Sequence, residues 1–112
     1  MVKPYMPKRG DLIWLTFDPQ AGHEQAGRRP ALVLSPANYN RASGLALVCP
    51  ITTKSKGYPF DVGLPEGISI SGVIQVDQLK SVDWRERQAK LISQAPDEVI
   101  QDIQAKLMPL LW

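Results

Sequence analysis

Two short, almost uninterrupted apolar segments constrain this chain more than anything else in it: RPALVLS at residues 29–35 and LALVCPITT at residues 45–53. Runs of this length without polar alternation belong to strands covered on both faces. A chain of 112 residues has material for one modest core and not for two. Both strands are therefore expected to share a single domain spanning residues 1–112. Between them PANYNRASG, residues 36–44, has the composition of a short helix or helical turn, a connection that lets the two strands run antiparallel.

The pattern around this pair is mostly β. GDLIWLTFDP, residues 10–19, is rich in aromatic and branched residues, is bounded by Gly and Asp-Pro, and predicts a first strand. PQAGHEQAG at 19–27 and TTKSKGYP at 52–59 read as loops. FDVGL at 60–64 alternates Phe60, Val62 and Leu64 like a half-buried strand, and PEGISISG turns into VIQVDQL at 73–79, another short strand. SVDWRERQAKLI at 81–92 reads as a turn and a last strand. From Pro96 the apolar positions Val99, Ile100, Ile103, Leu107 and Leu110 take helical spacing. Pro96 suits a first helical position, and Asp97 and Glu98 are favoured at the positive end of the helix dipole. Pro109 is expected to disrupt the final turn. These elements predict a mainly β fold with α: about six strands in a small, partly open antiparallel barrel, a short helix between strands and a C-terminal helix.

Composition excludes several classes. No run of about 18 apolar residues exists to cross a membrane, and the basic N-terminus lacks the apolar stretch of a secretory signal; a cytoplasmic protein without a membrane partner is expected. The lone Cys49 cannot build a disulfide framework, and its apolar surroundings offer no charge to activate it as a nucleophile. One histidine, His23, stands 26 residues from that cysteine, matching no zinc spacing. Phosphate-cradling and dinucleotide-binding glycine motifs are missing, so neither a metal nor a cofactor is expected. Net charge is only +2, but residues 1–60 carry +5 and residues 61–112 carry −3. A basic first half favours an anionic partner.

Charged and hydroxyl residues gather at the ends of the two apolar strands: Glu24, Arg28 and Arg29 before the first, Thr52, Thr53, Lys54 and Lys56 at and after the second. If the strands pair antiparallel, the arginines and threonines meet at one rim. Such a cluster suits a phosphodiester, because guanidinium offers a fixed fork of donors to phosphate oxygens and hydroxyls add more. Arginine is a poor proton carrier at neutral pH, so cleavage there would need Glu24 or His23 to move protons. The plain structural reading stands beside this one: a surface ion pair, a strand end favourable to threonine and a solvated loop. Tyr58 and Phe60, interleaved with Lys54 and Lys56, are candidates to stack on bases. Trp14 and Tyr39 are assigned instead to the core or an interface.

In chain order, GDLIWLTFDP, GHEQAGRRPALVLSP, YN, CPITTKSKGYPF and GVIQVDQLKSVDWR resemble the MazF/PemK family of toxin endoribonucleases, from about residue 7 to the end. The resemblance implies an SH3-like barrel of the type shared with CcdB toxins, a homodimer, and metal-independent cleavage of single-stranded RNA at a short base sequence. It further implies attack by the 2′-hydroxyl, leaving a 2′,3′-cyclic phosphate and a 5′-hydroxyl. The partner it implies is a MazE-like antitoxin, with DNA met only indirectly through the antitoxin complex. Arg29 and Thr52 match the family's functional positions, with Glu24 as an associated acid. These three are the expected catalytic residues, and His23, Arg28, Thr53, Lys54, Lys56, Tyr58 and Phe60 the expected RNA contacts. One position departs: some relatives carry His where this chain has Arg28, which leaves proton transfer to His23 or Glu24. Two other functions fit the same residues less well. A CcdB-like gyrase poison would use a C-terminal helix ending in Trp, as LMPLLW does here; a non-catalytic module would bind nucleic acid through the basic half alone.

Overall fold

A computed structural model describes residues 4–17, 27–54 and 57–112. Seven strands appear in the order β1 (Asp11–Thr16), β2 (Arg28–Val33), β3 (Leu45–Thr52), β4 (Asp61–Gly63), β5 (Val73–Gln75), β6 (Lys80–Asp83) and β7 (Lys90–Gln94). Helix α1 (Ala37–Ser43) joins β2 to β3, and α2 (Asp97–Leu111) ends the chain. All pairings are antiparallel and the sheet runs β4-β5-β3-β2-β1-β7, with β6 on β3. β4, β6 and β7 each have a single partner among the described strands, so the sheet stays open.

The two apolar runs lie at the centre and are covered on both faces along Ala31–Val33 and Val48–Ile51, whereas Leu45 and Leu47 at the start of β3 are exposed, so the expected two-sided burial fails there. On one side Leu12, Leu32, Cys49, Ile51, Ile74 and Val76 meet Val99 and Ile103 of α2. On the other, Ile13, Leu15, Phe17, Ala31, Val33 and Val48 meet Val82 and Trp84, with Tyr5 and Met6 laid against them. Alternate residues of β2 thus enter different clusters, which is why a period of two is invisible in its sequence.

Buried polar groups fasten the periphery to this centre. Asp11 accepts hydrogen bonds from the Tyr5 hydroxyl, the Lys8 amide and the Gln94 side chain. Burial first, and the Asp11 carboxylate next, push the Tyr5 hydroxyl pKa far above its ordinary value. The Asn40 amide donates to the carbonyls of Pro7 and Ser35, and Trp84 Nε1 donates to the Asn40 carbonyl. A polar side chain at a fully buried position is tolerable only with its partners present, and here they tie the N-terminal segment, α1 and the β6–β7 turn together.

Three expectations are corrected. The segment 73–79 is not one strand: β5 ends at Gln75 and a 3-10 turn covers Val76–Gln78. The segment 80–94 supplies two strands around a turn, giving seven among the described residues where about six were expected. Pro109 does not break α2, which continues to Leu111; the proline sits one turn from the end, where it removes a single backbone donor. Trp14 is 38% and Tyr39 41% exposed, so neither is a core residue, and Trp112 is 93% exposed.

Candidate active site

The register of β2 on β3 pairs Val33 with Val48, Leu32 with Cys49 and Ala31 with Pro50. Continued two residues beyond the last paired position, that register leads to Arg29 and Thr52, and both line one cleft. Directly opposed residues of an antiparallel pair share a face, with Cβ atoms about 4.5–5.5 Å apart. The rim expected from sequence is therefore formed, at the point where β2 begins and β3 ends.

A cleft of about 740 Å³ opens there, lined by Arg29, Pro30, Ile51, Thr52, Thr53 and Lys54 on one side. Thr52 is nearly buried, at 9% exposure, whereas Thr53 and Lys54 are exposed. The Thr52 Oγ1 accepts a 3.1 Å hydrogen bond from the Lys54 backbone amide. A hydroxyl that accepts from the backbone keeps its own proton to donate, and this bond fixes where that proton can point. Tyr58, half exposed, also lines the cleft. The turn from Tyr58 to Asp61 is held by the Asp61 amide donating to the Tyr58 carbonyl and by Lys106 of α2 donating to the Pro59 carbonyl.

The glycine at position 72 brings the backbone before β5 against the end of β3. Its φ is +133°, and a Cβ built there would lie 2.6 Å from the Thr52 carbonyl oxygen. Only a residue without a side chain allows this approach.

The structure does not bring Arg28 into the cleft. Neighbouring residues of a strand point to opposite faces, and Arg28 turns away from Arg29 to donate to Thr16 Oγ1 and to the Gln88 carbonyl. It straps the start of β2 to β1 and to the β6–β7 turn, where Gln88 holds an unusual φ of 57°. Phe60 also lies outside the cleft lining, half buried, with its carbonyl accepting from the Val76 amide. Glu24, His23 and Lys56 lie outside the described residues. Arg29, Thr52, Thr53, Lys54 and Tyr58 are thus the expected residues that share one site.

Four cleft residues escaped the sequence reading: Asp61, Gln75, Asp77 and Gln78. Asp61 starts β4 and pairs with Gln75 of β5, and the other two sit in the 3-10 turn that follows. Their signal was slight, a single acid in each of two short strand-like segments, and the β5–β3 pairing that carries them to the cleft leaves no local trace. Cys49 takes no part: it is wholly buried, and burial, followed by the charge of Asp77, raises its thiol pKa from 9.0 to about 12. At neutral pH it is a protonated core residue. Among the described residues, no three His, Cys, Asp or Glu side chains gather as a metal-holding group.

The cleft therefore presents guanidinium, ammonium and hydroxyl donors at one end and carboxylate and amide groups at the other. It can grip a phosphodiester and, beside it, a polar heterocycle.

Comparison with known proteins agrees with this geometry. Residues 8–111 match the family described as PemK-like, MazF-like toxin of type II toxin-antitoxin system. The endoribonuclease toxin MazF of Escherichia coli strain K12 is 50% identical over 111 residues, covering 99% of each chain. A crystal structure of MazF from Deinococcus radiodurans superposes with a TM-score of 0.93 at 53% identity, over 96% of this chain and 98% of that one. A MazE-MazF structure from the same organism gives a TM-score of 0.86 at 50% identity, over 96% and 97%. On sequence and fold alike, this chain belongs to the PemK-like, MazF-like toxins of type II toxin-antitoxin systems.

Proposed function

We propose that the protein is a sequence-specific endoribonuclease toxin that cleaves single-stranded RNA without a metal, and that the Arg29–Thr52 cleft is its active site. The observation that carries this reading is the one cleft, at the start of β2 and the end of β3, that Arg29 and Thr52 line together with Lys54 and Tyr58. In the reaction the 2′-oxygen bonds to the adjacent phosphorus while the bond from phosphorus to the 5′-oxygen breaks. The products are a 2′,3′-cyclic phosphate and a 5′-hydroxyl. Charge grows on the phosphoryl oxygens as the pentacoordinate phosphorane forms. The Arg29 guanidinium stabilises that charge, and Thr52 donates its hydroxyl proton to a phosphate oxygen. Glu24 accepts the 2′-hydroxyl proton, and the leaving 5′-oxygen takes up a proton from water.

Attack in line with the leaving group requires a flexible strand, so duplex RNA is a poor substrate, consistent with the preference of sequence-reading proteins for unstacked bases. The protein works as a cytoplasmic homodimer. A MazE-like antitoxin restrains it by laying an acidic segment along the cationic end of the cleft, in competition with RNA; DNA is met only through that complex.

The test is incubation of the purified protein with long single-stranded RNA in excess EDTA, with fragment ends identified by mass spectrometry. Discrete cuts bearing cyclic phosphate and 5′-hydroxyl ends are expected. Arg29→Ala is expected to lower the rate by about 10²- to 10³-fold, the usual loss for one transition-state donor. Intact RNA across all short sequence contexts would refute the assignment.

A further inference from the structure

The last helix reaches the cleft wall through one side chain. Val99 and Ile103 of α2 are buried, and Lys106, one turn beyond Ile103, is partly buried beside a groove between α2 and β4 that Asp61, Val62, Gly63, Asp102 and Ala105 also line. Asp102 stands one turn before Lys106, the spacing of a favourable ion pair along a helix. The ammonium nevertheless crosses the groove and donates to the Pro59 carbonyl at 2.6 Å. Among the described residues that carbonyl accepts from no other group. Pro59 belongs to the Tyr58–Asp61 turn, whose neighbouring carbonyls accept longer bonds: Tyr58 from the Asp61 amide at 3.0 Å and Phe60 from the Val76 amide at 3.3 Å. The shortest of the three comes from α2, and it alone is charge-assisted.

Resting on the ribonuclease reading, we infer that Lys106 is a positioning residue for the cleft: by tying the Pro59 carbonyl to α2 it holds the Tyr58–Asp61 turn, and with it the Tyr58 wall, in place for RNA. Lys106 is absent from the cleft lining, so it acts through the turn and not on the substrate. The carboxylates of Asp61 and Asp102 in the same groove favour a cation there. A turn released from the helix samples more positions, and RNA must then order it on binding. That cost falls equally on bound substrate and transition state, so it is read in KM. Turnover is left to Arg29 and Thr52, which stand on β2 and β3.

The experiment compares the wild-type protein with Lys106→Met, which keeps an apolar stem and loses the ammonium, and Lys106→Arg, which keeps a cationic donor of similar reach. Thermal melting establishes that both are folded. Hydrogen exchange at the Asp61 amide, followed by NMR and referred to the β3 amides, reads the turn without RNA. In Lys106→Met it is expected to quicken by about three- to tenfold, the range of one hydrogen bond, and in Lys106→Arg to return close to wild type. On an oligoribonucleotide spanning the mapped cut site, Lys106→Met is expected to raise KM by about the same factor with kcat unchanged. Lys106→Arg should restore it, and in a Tyr58→Ala background Lys106→Met should add little further. Wild-type KM in folded Lys106→Met overturns the positioning role and leaves the ribonuclease reading intact. So does unchanged exchange at Asp61, or a KM effect that persists in full in the Tyr58→Ala background and so marks a direct contact with RNA. If the wild-type protein cuts no RNA, the ribonuclease reading fails, and fluorescence anisotropy with the same oligonucleotide decides the role of Lys106 alone: equal binding by wild type and Lys106→Met overturns it.

Discussion

Substituting Gly72 by alanine tests whether the placement of Thr52 governs the site. A Cβ on residue 72 would meet the Thr52 carbonyl oxygen at 2.6 Å, its carbonyl carbon at 3.2 Å and Ile51 Cγ2 at 3.3 Å. Carbon and carbonyl oxygen normally approach to about 3.3–3.6 Å, so the contact is short by roughly 0.7 Å. Its partner is backbone rather than a side chain that could swing aside. The strand ending at Thr52 must move by much of that distance, or the 64–72 loop must. The φ of +133° adds backbone strain of about 1–3 kcal/mol, and forced packing adds about 1–3 kcal/mol. A lower entropy of the unfolded chain returns under 1 kcal/mol. Gly72→Ala is expected to cost about 2–4 kcal/mol and to lower Tm by about 10 °C or more. Because a displacement approaching 1 Å near reacting atoms costs about 10²-fold, kcat/KM measured well below Tm should fall ten- to hundredfold. Gly67→Ala provides the comparison: φ there is +89°, yet nothing lies within 4 Å of an added Cβ. It should lose stability and keep its activity. Wild-type kcat/KM in a folded Gly72→Ala protein would refute the argument.

Thr52→Val keeps the shape of the side chain but removes the hydroxyl that receives the Lys54 amide; cleavage should fall about 10²-fold, and Thr52→Ser should restore most of it. Arg28→Ala removes the bonds to Thr16 and Gln88, so a Tm lowered by several degrees is expected, with the salt dependence of RNA binding at the cleft unchanged; a flattened salt slope would instead mark Arg28 as a phosphate contact. Cys49 should resist a thiol reagent at pH 8 until the protein unfolds, and rapid labelling of the native state would contradict its burial. Its thiol pKa is raised from 9.0 to about 12 on folding, so the stabilisation linked to its protonated form is complete below about pH 9 and lost as pH rises toward 12. Urea melts from pH 8 to 11 should follow that decline less steeply in Cys49→Ala.

The central strands were legible because their apolar runs are long and end in unmistakable turn chemistry. The Arg29–Thr52 rim followed from them, since one antiparallel pairing with a short connection brings those ends together. Legibility failed where non-local pairing decides the outcome. Val76–Gln78 continues an apparent strand in sequence, but after Gln75 the chain leaves β4 and turns beneath α2, a choice made by burial of Val76 rather than by propensity. Arg28 and Arg29 look equivalent as letters, and only the register on β1, which sets Thr16 beside Arg28 and Leu15 beside Arg29, separates a strap from a site residue. Asp61 was unreadable for a similar reason: its neighbour in space is Gln75, and its neighbours in sequence are aromatic and aliphatic.

Strand β3 meets three others, with β6 and β5 sharing successive stretches of its length and β2 bonded to its middle. Releasing its amides breaks several ladders at once, so hydrogen exchange along Ala46–Ile51 should proceed only through global opening of the molecule. Thr52 sits at the end of that strand. A reactive group mounted there is preassembled before any ligand arrives, and an inhibitor gains little by trying to bend it. On the proposed reading of this cleft, restraint works by occupying it, and relief comes as soon as the occupant dissociates, with no slow refolding of the end of β3 to delay the first cut.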